Sequence, residues 1–372
     1  MGHKAIFIAA TGQNVGKTTI CLGLLAGLRK RFARVGFIKP VGQQHLEVEG
    51  GLKIDKDAVL FKEHFSLEAP YTDISPVILP SGFTRRYLRG EVERDTLRHR
   101  IRDSFHRITE DSDYTIVEGT GHVGVGSIVE LNNACVAKDL DIEVVIIVSG
   151  GLGSAHDELA LNIEMCRAYG VQVRGVILNR VRPDKRDMIL EYFPKALKKF
   201  GVPLIGCVPF SKYLSTHSME DFEWLFQSKL LAGQEYRYRH FRRTRLVAGS
   251  LESYLEEEVP NELVITPASR DDIIHAILDR YSEPLSGDGR LNVGLLLTGR
   301  QAPSKQTLQR IERGAIPTLY VPLCSYDAMK MLTSFIAKTR KEDERKVAKA
   351  IEIVESNIDF SLLCQTPFAS AT

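Results

Sequence analysis

The chain has 372 residues, of which 44% are hydrophobic and 26% charged, and it carries a net charge of +2. That is ordinary for a globular protein of about two or three domains, and it makes no whole-chain case for nucleic-acid or membrane binding. Six scattered cysteines with no Cys-x-x-Cys pair show no zinc site and, several lying in apolar stretches, read best as reduced, buried thiols.

In chain order, residues 4–10 form an isoleucine-rich apolar run that predicts a strand. The segment Thr11-Gly12-Gln13-Asn14-Val15-Gly16-Lys17-Thr18-Thr19 follows it and opens an amphipathic helix. Strand, glycine-punctuated turn and helix are the context a phosphate-binding P-loop requires. Backbone N–H groups and the positive end of the helix would cradle phosphates. Lys17 would supply a flexible cation and Thr18 a hydroxyl for Mg²⁺. The pattern is a variant, because Thr11 stands where the strict motif has glycine. No secretory signal precedes this strand, and Ile6 occupies the position where a myristoylation motif needs Ser or Thr. No apolar run approaches membrane-spanning length, so a cytoplasmic protein is expected.

Residues 34–38 predict a short strand closed by Lys39-Pro40. Lys39 either points into the P-loop crevice or is a surface lysine at a strand end. Asp55 and Asp57 open the next helix and serve as N-terminal helix charges, or Asp57 reaches a metal. Residues 70–90 read as a proline- and glycine-rich loop, and residues 94–109 as a basic helix whose arginines form a solvated face, with a minority contacting an anionic substrate. The strand 113–117 ends in Glu118, followed by Gly119-Thr120-Gly121 and glycines through Gly126, which fits a second metal- or substrate-binding loop. The strand 143–148 is apolar throughout, as a strand buried on both faces demands. Another strand ends at Asn179-Arg180, and a last one covers 203–209. The alternation predicts an α/β fold, a doubly wound parallel sheet of P-loop NTPase type, over residues 1–230. Residues 231–245 are basic and aromatic, and read as an interdomain linker or as a single-stranded nucleic-acid contact. A second, smaller α/β domain is expected over 246–360 and a loose tail over 361–372.

On the variant P-loop, the Phe37-Ile38-Lys39-Pro40-Val41 strand end, Asp57-Ala58, Val117-Glu118-Gly119, Ser149-Gly150-Gly151, Leu178-Asn179-Arg180 and Gly206-Cys207-Val208-Pro209, the first domain resembles dethiobiotin synthetase. The two-domain order is similar to the front part of long phosphate acetyltransferases. On Ser269-Arg270-Asp271 and Thr298-Gly299-Arg300 the second domain resembles a DRTGG domain. The resemblance implies ATP and Mg²⁺ as cofactors, a small-molecule ligand and a homodimer. Carried over by position, Gly12 to Thr19 bind the nucleotide, with Gln13, Asn14, Val15 and Gly16 forming the loop. Thr18, Asp57 and Glu118 hold Mg²⁺. Lys17 and Lys39 stabilise charge on a transferring phosphoryl group, Asn179 reads the adenine edge, and Gly119-Thr120-Gly121 line a substrate pocket. This chain carries Val41-Gly42 after Lys39-Pro40, where the synthetase has a serine-glycine pair. Three readings follow: an ATP-dependent ligase or phosphoryl-transfer enzyme acting on a small acid or amine, an ATP-binding regulatory or sensor module, and a nucleic-acid-associated ATPase.

Overall fold

The structure is a computed structural model that describes residues 4–257, 259, 261–282, 293–336 and 339–365. It divides the chain into two units, residues 1–211 with 339–372, and residues 212–338.

In the first unit, β1 (Lys4–Ala10) runs into the helix Lys17–Arg29, and β2 (Val35–Ile38) follows. β3 (Val41–Gly42) pairs with β6 (Val77–Ile78), while β4 (His45–Val48) and β5 (Leu52–Asp55) form a hairpin between them. The helices Lys56–Phe65 and Arg94–Glu110 lead to β7 (Tyr114–Glu118). Then come β8 (Val144–Ser149), the helix Leu152–Ala168, β9 (Val173–Val181), the helix Arg186–Leu197 and β10 (Leu204–Pro209). The parallel sheet has the order β10-β9-β8-β1-β7-β2. Helices cover both faces, which is why β1, β7 and β8 are apolar without alternation. β1 lies centrally, and the chain passes from one side of it to the other between β7 and β8. That reversal puts a crevice at the carboxyl ends of these strands. Residues 70–90, expected as loop, include the short helices Tyr71–Ile74 and Phe83–Leu88.

In the second unit, β11 (Leu230–Ala232), β12 (Arg243–Leu246), β13 (Glu262–Pro267), β14 (Val293–Thr298) and β15 (Thr318–Val321) form a sheet of order β11-β15-β14-β13-β12. Both β11 and β12 belong to this sheet, so the stretch 231–245 is built into the second unit rather than linking two domains. Three of its five arginines are paired with carboxylates of the same unit. Arg237 reaches Glu220 at 2.6 Å and Glu223 at 2.5 Å, Arg243 reaches Glu257 at 2.6 Å, and Arg245 reaches Glu262 at 2.8 Å. Counterion release on binding a phosphate backbone draws on cations free to meet phosphates, and the pairing of Arg237, Arg243 and Arg245 reduces that supply.

The segment from residue 339 returns to the first unit, contrary to the expected 246–360 domain and loose tail. Asn357 O accepts from Cys207 N at 3.2 Å and Asp359 N donates to Ile205 O at 2.8 Å, which covers the open edge of β10. The helix Glu344–Glu355 packs on Lys17–Arg29. Gly23 and Gly27 permit that approach, since a Cβ on either would collide with Val354 or with the Phe360 ring. The helix Phe360–Cys364 runs into the expected tail, and residues 366–372 of that tail lie outside the described ones. We expect Gly27→Ala to lower stability by about 1–3 kcal/mol through overpacking. A denaturant midpoint equal to the parent's would contradict the close packing of Phe360.

Candidate functional site

The P-loop takes its shape from a left-handed residue at each bend. Asn14 has φ 59°, and Gly16, which caps the helix Lys17–Arg29, has φ 99°. That helix has no side-chain cap and no acidic residue in its first turn, so its leading N–H groups are left for an anion. Thr11, the residue in the place of the motif glycine, donates its hydroxyl hydrogen to Glu158 Oε2 at 2.8 Å.

Beside the loop, at the ends of β2 and β7, is a buried cluster of charge. Lys39, Asp55 and Asp57 are each 4% exposed or less, and Glu118 is fully buried. Lys39 Nζ donates to Asp57, and lies 3.4 Å from Asp55 Oδ1 and 3.3 Å from Glu118 Oε1. Asp55 N-caps the helix Lys56–Phe65 by accepting from Asp57 N at 2.9 Å, which fixes the two carboxylates relative to each other. Burial works against the Lys39 charge, but Asp55, Asp57 and Glu118 outweigh it and hold the ammonium well above the usual lysine range. Burial pushes the Glu118 carboxyl up, against the pull of Lys39.

Thr18 Oγ1 donates to Glu118 Oε1 at 3.2 Å. Glu118 Oε2 is buried and accepts no hydrogen bond among the described residues, an arrangement that carries a desolvation penalty. A hard cation prefers such oxygen donors. Among the described residues no group of three or more His, Cys, Asp or Glu side chains forms a complete metal cage. Mg²⁺ needs none, because it binds through one or two protein oxygens together with phosphate and water. The donor set therefore fits Mg²⁺.

Lys17 Nζ donates to Gly121 O at 2.6 Å, and burial lowers its pKa to about 8. The loop after β7 is shaped by Asn133, which donates from Nδ2 to Thr120 O at 3.0 Å and to His122 O at 2.9 Å and accepts from Thr120 N at 3.1 Å. Thr120 Oγ1 donates to Val41 O. Gly119 has no room for a Cβ, which would lie 2.6 Å from Phe7 and 2.8 Å from Asn133. Val123 N donates to Asn162 Oδ1 at 3.2 Å. The fold thus brings Lys17, Thr18, Lys39, Asp57, Glu118 and the Gly119-Thr120-Gly121 loop together. Asn179 sits under the P-loop, donating from Nδ2 to Val15 O at 2.8 Å. Asp55 joins Lys39 as well as capping a helix. The sequence signal for that pairing was its place at the helix start, two residues before Asp57. Asn133 and Asn162 carried no signal, because each acts on a loop that is distant in sequence.

The model of the AAA_26 family (AAA domain) matches residues 4–218. The chain belongs to the AAA_26 family. Behind this AAA_26 domain a DRTGG domain matches residues 224–335. Among curated proteins, the chain is 30% identical to the phosphate acetyltransferase of Pseudomonas aeruginosa, over 97% of this chain and 52% of that protein. It is 29% identical to that of Pseudomonas putida, over 98% and 52%. With the phosphate acetyltransferase of Escherichia coli it shares 23% identity, over 96% and 52%. The chain thus spans about half the length of the curated relatives it matches. Among solved structures, a ParA family ATPase from Chlorobium tepidum TLS aligns with 57% of this chain and 87% of its own, at 16% identity and a TM-score of 0.37. No helix among the described residues is long and apolar enough to cross a membrane. No disulfide links the cysteines: Cys21, Cys135, Cys166 and Cys207 are buried, Cys324 is exposed and Cys364 half-buried.

Proposed function

We propose that the chain is an ATP-binding regulatory module, akin to the front part of long phosphate acetyltransferases, in which the AAA_26 domain binds Mg²⁺-ATP and signals its occupancy. Thr18, Glu118 and Asp57 hold the metal, which supplies charge neutralisation on the phosphates. Gly12 to Thr19 cradle the phosphates. A homodimer in the cytoplasm and a small-molecule effector near Gly119-Thr120-Gly121 are part of the proposal.

The observation that carries it is the bond from Lys17 Nζ to Gly121 O. Drawing the Lys17 ammonium toward the outer phosphates would pull it from this carbonyl, so on this reading ATP loosens one anchor of the loop after β7. Release of a backbone anchor converts occupancy into a loop movement. Phosphoryl transfer is less well supported, because it requires Lys39 to follow the moving phosphate. Its ammonium is engaged with three carboxylates instead, and Asp57 and Glu118 would share their oxygens between Lys39 and the metal. Hydrogen exchange tests the reading: with Mg²⁺-ATP, amides at 119–126 should exchange at a changed rate, and the change should vanish in Lys17→Ala. Unaltered exchange at saturating ATP overturns the proposal.

A proton accompanies binding. Burial holds the free Lys17 near pKa 8, whereas phosphates favour the ammonium and raise it. Where part of the free protein is neutral at Lys17, forming the complex takes up a fraction of a proton. Uptake grows, and affinity falls, as pH rises through this window. Titration calorimetry in two buffers of different ionisation enthalpy measures it; equal apparent enthalpies at pH 8 would contradict a depressed Lys17.

A further inference from the structure

Asn179 is the last residue of β9 paired with β8, opposite Ser149, and is 4% exposed. Two bonds set its amide: Oδ1 accepts from Arg180 N at 2.9 Å, and Nδ2 donates to Val15 O at 2.8 Å. The Oδ1 bond fixes which way the amide faces, because a backbone N–H requires an acceptor. No cis peptide bond occurs among the described residues, and in a planar trans peptide C=O and N–H point in opposite directions. Anchoring Val15 O on Asn179 therefore aims the Gly16 N–H away from β9. Gly16 is the left-handed residue that starts the helix, and a Cβ there would collide with Asn179 Nδ2. The amide thus packs directly against the bend where loop becomes helix, and it sets the direction of a leading N–H in an otherwise uncapped helix start.

Resting on the nucleotide-binding reading above, we propose that Asn179 is a positioning residue of the phosphate cradle. It holds the Val15–Gly16 peptide so that its N–H faces the anion, and this role is independent of the base. A base-reading residue makes a different prediction. If Asn179 read the adenine edge, its loss would leave phosphates alone bound as before and would erase discrimination between ATP and GTP.

The test compares ATP, GTP and inorganic tripolyphosphate, each with Mg²⁺, as competitors on the full chain and on Asn179→Ala. Thermal melting verifies folding, and Asn179→Ser serves in its place if the alanine variant does not fold. We expect all three ligands to weaken by a common factor of about tenfold, with the ratio of ATP to GTP affinity unchanged. Loss confined to ATP, with tripolyphosphate unaffected, overturns the proposal. So does a parent that binds ATP but no tripolyphosphate, since the loop is then no cradle by itself. A parent that binds none of the three overturns the nucleotide reading as well, and that pattern separates the two failures.

Discussion

Lys39→Met is expected to destabilise the first unit by about 3–5 kcal/mol at neutral pH, because removing one partner of a buried charge cluster leaves the others uncompensated. Asp55, Asp57 and Glu118 would then share a water-poor site with no cation between them. The sign of the pH dependence follows from the shifts. The folded pKa of Lys39 lies above its unfolded value, so its contribution is fully present below the ordinary lysine pKa and is lost only as pH rises through the folded value. Glu118 is raised in the fold, so its charge is a burden at neutral pH that disappears as acid protonates it. The gap between variant and parent should therefore narrow toward acid pH. Adding Glu118→Gln to Lys39→Met should recover part of the loss, and a double-mutant cycle in denaturant measures the coupling. A single variant as stable as the parent at pH 7 would show that Lys39 is not buried among these carboxylates.

Lys17→Ala should weaken ATP about ten- to hundredfold, the equivalent of about 1.5–3 kcal/mol for a charge-assisted contact. Its effect on stability should be small or favourable at neutral pH. Burial depresses the Lys17 pKa to about 8, so its charge is disfavoured in the free fold, and stability rises with pH between that value and the ordinary lysine pKa. The two lysines of one crevice are thus separable, one removed mainly at the expense of folding and the other mainly at the expense of binding.

The residues that shape the P-loop were legible because they are local. An apolar strand, a glycine turn and an amphipathic helix from Lys4 to Arg29 specify their own conformation, and an acid at the end of β7 is placed by the sheet register with β1, Ile8 opposite Glu118. The environment of Lys39 was not legible to the same degree. Its partners depend on the β4–β5 hairpin, which brings Asp55 back to the end of β2 and whose strands are too short to give a periodic signal. The ion pairs of Arg237, Arg243 and Arg245 were hidden for a related reason. A basic run reads as a connector until the carboxylates facing it are known. The return of residues 339–365 depends on two glycines of the first helix meeting Val354 and Phe360. Helix periodicity near residue 350 cannot show which surface its apolar face will cover.

On the function proposed above, the crevice at the ends of β1, β2 and β7 binds ATP through a metal held by Thr18, Glu118 and Asp57, without rapid turnover. Isothermal titration of ATP into the full chain, with Mg²⁺ and then with chelator, followed by assay of ADP in the same cell, tests it most directly. Saturable binding near one ATP per chain is expected with Mg²⁺, with at least tenfold weaker binding in chelator and little ADP over the course of the titration. Equal affinity with and without Mg²⁺, or ADP produced at the rate of an ordinary ATP-consuming enzyme, would contradict it.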